Sequence, residues 1–375
     1  MKIKRTTGRA AAALLGALAS TVLLAQPPDL SDIELSEARQ VPAEQQAAAY
    51  NDRNWTPPRT SWGDPSLQGI WSTDDMRGIP GSRPDEHGTQ EFLTEEQFLE
   101  RARTQQAGRN RAVNEETFLR NEWGTRTFGF TSLLVDPPDG QMPPLTEAGR
   151  QRAEASSGGG TFGGGPFNTF EDFSLYDRCI VFRGIGSGTG AAIYGNGIRI
   201  VQSPTEIAIT YEMIHETRVI SLDNRSRLDD DVKQYLGNSR GYWDDDTLVI
   251  ETQDFNGATG FGRAPPSDQL RTTERLRRVD EEMIEYRLTV DDPGTFTAPF
   301  TYRTMWTTQP DYYPYEYSCH EGNTAVGQGL RSERAYERQV AEAIANGEPP
   351  PPRSTGGIYR APPEDAVIFN INKGE

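Results

Sequence analysis

The most constraining feature of this chain is a series of segments, beginning near residue 197, in which apolar and polar residues alternate. EIAITYEM (206–213) and MIEYRLTV (283–290) carry apolar side chains at every second position, and successive side chains of a strand point to opposite faces. About seven or eight such segments are joined by short links, which predicts an antiparallel meander. A meander must protect its edge strands, and closure into an up-and-down barrel removes both edges.

The rest of the chain divides into further segments. Residues 1–25 join a positively charged start to an apolar stretch, and this pattern predicts a secretory signal peptide. Residues 26–60 are polar and predict an extended N-terminal arm. The barrel domain is expected to span residues 61–330, including a helical insertion at 73–178. Residues 331–375 are predicted to form a C-terminal helix followed by a Pro-rich tail.

The charge of the chain limits its partners and its location. The formal net charge is −17, and a chain this acidic repels phosphate backbones, so we expect no nucleic-acid partner. No later segment approaches the ~20 consecutive apolar residues of a membrane-spanning helix. Together with the signal peptide, this predicts a periplasmic or secreted protein without a membrane span. The sequence does not indicate the oligomeric state.

The chain has two cysteines, Cys179 and Cys319. In an oxidising compartment they can form one disulfide, which would close a long loop and restrict the unfolded chain. Two free, buried thiols are the alternative that the sequence leaves open.

The tripeptide Gly69-Ile70-Trp71 lies ahead of the strand series. A G-x-W at the start of a first strand resembles the lipocalin/calycin signature, and this resemblance implies a barrel of that type. The predicted fold is therefore mainly β. It is an antiparallel up-and-down, lipocalin/calycin-like barrel with a helical insertion and a C-terminal helix.

The segment YEMIHETRVISLD (211–223) carries one of the three histidines of the chain. In one continuous strand His215 would share the face of Tyr211 and point into the barrel, with Glu216 and Arg218 on the other face. An imidazole in an apolar cavity can accept a proton near neutral pH, whereas one bonded to a neighbouring carbonyl would be structural. We expect a bulge around the histidine, which leaves the face assignment beyond it open.

Three other patterns suggest different chemistry but lack the required context. The G-x-S-x-G at 237–241 is followed by Asp268 and His320, in the order of α/β-hydrolases, but it precedes a strand where a nucleophile elbow precedes a helix. Cys319, His320 and Glu321 are adjacent and would point to alternate faces, so no metal site is predicted. GIGSGTG (184–190) lies outside any βαβ unit, which argues against a dinucleotide cofactor, and no cofactor is predicted.

Longer motifs resemble a largely uncharacterised family of exported bacterial proteins. They read TSLLVDPPDGQMPPLTEAGRQR, DRCI, YEMIHETRVISLDNR, YLGNSRGYWDDDTLVIETQDF, ERLRRVDEEMIEYRLTVDDP and YEYSCHEGN. The resemblance spans about Gly69 to Glu337. Its motif positions are His215, Glu216, Arg218, Asp223, Arg225, Ser239, Arg240, Trp243, Asp246, His320, Glu321 and Asn323. One departure is Trp243-Asp244-Asp245-Asp246-Thr247, where W-E-G-D-T is usual.

Two functions are consistent with these residues. The first is a cofactor-independent acid/base lyase or isomerase, acting on a small aromatic molecule in a barrel cavity. The second is a non-catalytic periplasmic protein that binds a small molecule. For the enzyme, His215 would be the general base or acid, since imidazole exchanges protons near neutral pH. The other catalytic candidates are Glu216, Arg218, Arg240, His320 and Glu321. The substrate-binding candidates are Tyr211, Trp243, Trp306, Tyr317 and Asn323.

Overall fold

The computed structural model describes residues 30–40, 55–115, 122–156, 166–223, 228–229, 231–261, 264–309 and 312–352. The predicted signal peptide lies outside the described residues. So do much of the predicted N-terminal arm and the chain beyond residue 352.

Within the described residues, nine strands form a closed barrel, and a tenth, short strand pairs along the edge of one of them. The strands are β1 (Gly69–Ser72), β2 (Leu134–Asp136), β3 (Gly197–Gln202), β4 (Glu206–Tyr211), β5 (Thr217–Ser221), β6 (Asn238–Asp244), β7 (Thr247–Gln253), β8 (Arg271–Arg278), β9 (Met283–Asp291) and β10 (Phe300–Thr307). Their order is β1-β3-β4-β5-β6-β7-β8-β9-β10-β2, and β10 pairs back onto β1 through Thr307 and Ser72. The predicted mainly β barrel is therefore confirmed.

One pair of neighbouring strands is parallel. β5 and β6 meet only at Ser221 and Arg240, whereas the other eight neighbouring pairs of the ring are antiparallel. Parallel strands need a link that returns the chain to the end where the first strand began, and residues 222–237 provide that length. The barrel is thus mixed, with a short seam between β5 and β6.

The barrel interior is packed with the apolar side chains that the alternation predicts. β4 and β9 show strict alternation of buried and less buried residues, and one core cluster draws on the strands of the ring. Trp71 of the G-x-W lies in this core, its indole N–H donating to the Leu67 carbonyl at 3.0 Å. The guanidinium of Arg278 lies over the Trp71 ring at 5.2 Å.

The α-helices belong to the insertion and to the chain after β10. The insertion contributes α1 (Glu95–Asn114), which begins at a capping box made by Thr94 and Gln97, and α2 (Glu147–Ser156). A second core cluster, which includes Phe128, Phe130 and Met305, joins the insertion to the outer face of β10. The C-terminal helix α3 (Ala325–Ala345) confirms the predicted helix but begins six residues before it. Across the described part of the chain, no helix has the length and apolarity needed to cross a bilayer.

Candidate functional site

A tight turn interrupts the chain between β4 and β5, at the histidine. Met213–His215 form one turn of 3-10 helix, in which Ile214 (φ 63°) and His215 (φ 50°) are both left-handed. Left-handed backbone is uncommon for any side chain and most unfavourable for a β-branched one, and such residues cluster at functional sites. The irregularity predicted around the histidine is therefore present, as a strained turn.

The turn reverses which side chains face the barrel. His215 is exposed, whereas Glu216 and Arg218 are 5% and 4% exposed. The prediction that His215 shares the inward face of Tyr211 is wrong, because the turn shifts the strand register by an odd number of positions and a strand alternates faces at each residue.

The His215 imidazole is oriented by a main-chain carbonyl. Its Nδ1 lies 3.0 Å from the carbonyl oxygen of Tyr317. Since a carbonyl oxygen only accepts hydrogen bonds, Nδ1 must carry the hydrogen, and in neutral imidazole Nε2 then keeps a lone pair. This is the carbonyl-bonded arrangement that the sequence left open as a structural role. Because the bond engages Nδ1 alone, Nε2 remains at the exposed rim of the barrel.

Three tyrosines lie together beside this histidine. The hydroxyl of Tyr176 is 3.1 Å from that of Tyr194 and 3.4 Å from that of Tyr317. The rings of Tyr194 and Tyr317 are nearly parallel, with centroids 6.4 Å apart. Burial, followed by the bonds to the other two hydroxyls, raises the pKa of Tyr317. The cluster therefore gathers three hydroxyls and aromatic surface around the side chain of Tyr317, whose main-chain carbonyl contacts the imidazole.

The loop that carries Tyr317 is held by covalent and polar contacts. Cys179 and Cys319 form a disulfide with their Cα atoms 5.7 Å apart, which confirms the predicted bridge. The Asn323 amide donates to the Asp177 carbonyl at 2.8 Å and to Cys179 Sγ at 3.2 Å. Asn323 was expected to bind substrate, and these bonds give it a part in holding the loop.

Further contacts fix the two ends of the same loop. The Tyr312 hydroxyl donates to the Glu212 carboxylate, which also accepts the Gly197 amide at 3.1 Å. His320 and Glu321 follow the disulfide directly and are exposed. The loop that carries His320 and Glu321 therefore also carries Tyr317, whose carbonyl contacts His215. A shared site for the two histidines stays a prediction.

Glu216 is buried, and one of its two carboxylate oxygens lacks a hydrogen-bond partner. One carboxylate oxygen accepts the Phe182 amide, and the other is buried with no hydrogen-bond partner. Burial raises the pKa of Glu216 to about 7, although the amides of Phe182 and Gly184 and the charge of Arg218 act in the opposite direction. Glu216 can therefore hold or release a proton near neutral pH.

Arg218 is committed to a polar cluster inside the barrel. Its guanidinium pairs with the Glu274 carboxylate at 2.5 and 3.0 Å and donates to Ser239 Oγ at 3.1 Å. The Tyr286 hydroxyl also donates to Glu274, at 2.9 Å. Arg218 is one of the catalytic candidates, and its charge is already paired with Glu274 in a site closed to solvent. The sequence analysis did not identify Glu274. Its position between Thr272 and Leu276 puts an acidic residue on the inward face of β8, and that pattern could have indicated a buried ion pair.

The other candidates lie away from the imidazole. Arg240 is the strand partner of Ser221, at the end of β5 opposite His215. Trp243 is half-buried and packs on the barrel core. Tyr211 and Trp306 are core residues in edge contact, with ring centroids 6.4 Å apart.

The expected ligand cavity is not open at these aromatic residues. The void beside Tyr211 measures about 10 Å³, which is room for about one water molecule. The interior is filled because large side chains from opposite strands meet across the barrel, a contact that strand periodicity does not reveal.

The glycine-rich segment closes one end of the barrel. Gly184–Thr189 form a short 3-10 helix that is largely buried, and the carbonyl of Gly188 accepts the Trp306 indole N–H at 2.9 Å. A Cβ on Gly188 would lie 2.6 Å from the Trp306 ring, closer than side-chain carbons approach. Glycine is therefore required here for close packing. We call residues 184–189 the plug.

The positions of the described residues do not support a serine hydrolase or a metal centre. Ser239 of the G-x-S-x-G bonds Arg218 and Thr252 inside the barrel, whereas His320 is exposed on the disulfide-held loop. For a metal centre, the residues whose positions are described contain no group of three His, Cys, Asp or Glu side chains arranged as ligands.

No protein-family model matches the chain, and no curated protein sequence matches it. The resemblance to exported bacterial proteins stays a prediction.

Proposed function

We propose that this protein is a cofactor-independent acid/base enzyme, a lyase or isomerase, that acts on a small aromatic molecule in the periplasm or outside the cell. The observation that carries the proposal is the His215 imidazole, held at 3.0 Å by the Tyr317 carbonyl so that Nε2 is available at the barrel rim. The substrate site moves from the barrel interior, where the first hypothesis put it, to this rim.

The rim supplies the groups that proton transfer needs. Nε2 of His215 would remove a proton from the substrate, and the Tyr317 carbonyl would stabilise the imidazolium through its bond to Nδ1–H. The imidazolium would then return the proton to another substrate atom in an isomerase, or to a leaving group in a lyase. The hydroxyls of Tyr176, Tyr194 and Tyr317 would donate to a developing oxyanion.

A turnover screen tests the proposal. The mature protein is incubated with a panel of aromatic monomers and dimers, and products are detected by the mass change of the small molecule. We expect the His215→Ala variant to lose activity by about 100-fold or more, a typical contribution of a general base, with its circular dichroism unchanged. His87→Ala is the matched control, because His87 lies in the insertion on a short 3-10 turn. Turnover that survives in His215→Ala would exclude the imidazole as the base.

A non-catalytic binding protein is the second candidate, and the plug favours it. A barrel whose end is covered by a short glycine-rich segment would be suited to taking up a ligand if that segment moved. In that case a compound from the panel would bind with equal affinity to the natural chain and to His215→Ala, and none would change in mass.

A further inference from the structure

The plug occupies the end of the barrel much as a bound molecule would. Its Ile185 side chain is 2% exposed and belongs to the barrel core. Its main chain offers two carbonyl oxygens to the interior, those of Ile185 and Gly188. The plug thus combines one compact apolar group with hydrogen-bond acceptors, which is the composition of a small ligand.

The interior side chains around the plug are hydrogen-bond donors. The Trp306 indole N–H and the Thr304 hydroxyl both donate to the Gly188 carbonyl at 2.9 Å. The Tyr286 hydroxyl lies 3.5 Å from the Ile185 carbonyl, but its single hydrogen is directed to Glu274 at 2.9 Å. The Trp306 and Thr304 donors are buried, so any molecule that replaced the plug would have to supply an acceptor in place of the Gly188 carbonyl.

The fit between plug and barrel is incomplete. The hydroxyl of Ser187, on the plug, lacks a hydrogen-bond partner, and Ser187 and Tyr211 both line the void of about 10 Å³. At the base of the plug, Glu216 accepts the Phe182 amide with one oxygen and leaves its other, buried oxygen unbonded. Unpaired buried polar groups weaken the closed arrangement relative to an open one.

The composition of the plug also favours displacement. GIGSGT (184–189) contains three glycines, and glycine loses more conformational entropy on ordering than any other residue. A 3-10 helix of six residues has little stability of its own. Its position therefore depends on the few contacts described above.

We propose that the plug stands in for a small ligand, and that the barrel interior beneath it binds a compact apolar molecule carrying a carbonyl oxygen. Such a molecule displaces the plug, its apolar part replaces Ile185, and its oxygen accepts from Trp306 and Thr304. This site is separate from the chemistry proposed at His215. The His215→Ala variant should bind such a molecule as the natural chain does, so each proposal can fail alone.

Two glycines of the plug provide a matched pair of variants. A Cβ at Gly188 would lie 2.6 Å from the Trp306 ring, whereas a Cβ at Gly186 would lie 3.5 Å from Phe261, an ordinary contact. Gly188→Ala should therefore force the plug out, and Gly186→Ala should leave it in place. The probes are acetophenone, which has one ring and one carbonyl oxygen, and ethylbenzene, which lacks the oxygen.

Hydrogen exchange of residues 182–190 and calorimetric titration with the probes give the readouts. We expect Gly188→Ala to raise amide exchange in this segment and to bind acetophenone about tenfold more tightly than either the natural chain or Gly186→Ala, because plug closure competes with binding. Ethylbenzene should bind at least about tenfold more weakly than acetophenone, since it leaves the donors unpaired.

Three results would overturn the proposal. Unchanged exchange in folded Gly188→Ala would show that the plug is not displaceable. Faster exchange without acetophenone binding would show that no site lies beneath it, and equal affinities for the two probes would exclude recognition of the carbonyl. If Gly188→Ala does not fold, Ile185→Ala, which removes the apolar group from the core, is titrated with the same probes and read by the same criteria.

Discussion

The guanidinium of Arg218 on β5 and the carboxylate of Glu274 on β8 form an ion pair inside the barrel, with Nη2 and Oε2 2.5 Å apart and both side chains buried. β5 and β6 share a single backbone register position. Through its bonds to Ser239 on β6 and Glu274 on β8, the Arg218 side chain spans this seam. Arg218, a catalytic candidate of the sequence analysis, thus links strands on both sides of the parallel seam.

Loss of one partner of this pair should be costly. Arg218→Met leaves the Glu274 charge buried and unpaired, so we expect the free energy of unfolding to fall by about 3–5 kcal/mol, measured by urea denaturation. Arg218→Met combined with Glu274→Gln should recover most of this loss, because no buried charge remains. Arg275→Met is the control. It breaks an ion pair with Asp244 whose side chains are 44% and 54% exposed, and should cost less than about 1 kcal/mol.

Glu216 should make stability depend on pH. Its pKa is raised from 4.5 to about 7, so between these values the folded state binds a proton that the unfolded state has released. The stabilisation is complete below about pH 4.5 and is lost as pH rises through about 7, with a size on the order of 3 kcal/mol. Glu216→Gln, which does not titrate, should show a smaller fall in unfolding free energy between pH 5 and pH 8. An identical fall in both proteins would contradict the assignment.

The disulfide should contribute strongly to stability. Cys179 and Cys319 are separated by 140 positions, and loop-closure entropy for such a loop corresponds to about 5 kcal/mol at 25 °C. We expect the double variant Cys179→Ala/Cys319→Ala to lose up to this amount in urea denaturation. The loop around Tyr317 should also exchange its amides faster. A reducing agent should lower the stability of the natural chain and leave that of the double variant unchanged.

Two glycine substitutions should act in opposite directions. A Cβ on Gly197 would lie 2.7 Å from the Glu212 carboxylate and 2.9 Å from the Tyr312 hydroxyl. Gly197→Ala should therefore destabilise the protein by about 1–3 kcal/mol. Gly327 lies in α3, where a Cβ would meet only the flexible end of Arg331 at 3.8 Å. Gly327→Ala should stabilise the protein by up to about 1 kcal/mol in thermal denaturation, since alanine is the better helix former.

The local sequence pattern was sufficient to predict the barrel strands and the C-terminal helix. Alternation in segments such as 206–211 and 283–290 predicts strands because the period of two survives in every half-buried strand. The C-terminal helix was predicted from its local sequence, and the disulfide from the cysteine count together with a predicted exported location. These features depend on neighbours in sequence, or on there being only two cysteines to pair.

Tertiary contacts determine which side chains come together at the candidate site. The left-handed turn at Ile214 and His215 reverses the faces of β5, and no glycine or asparagine marks it. Contacts elsewhere hold those residues in an unfavourable backbone conformation. Arg218 meets Glu274 across 56 positions, and His215 meets Tyr317 across 102. The sequence by itself therefore determined which segments are strands, whereas only closure of the barrel decided which side chains lie inside it and which remain at the rim.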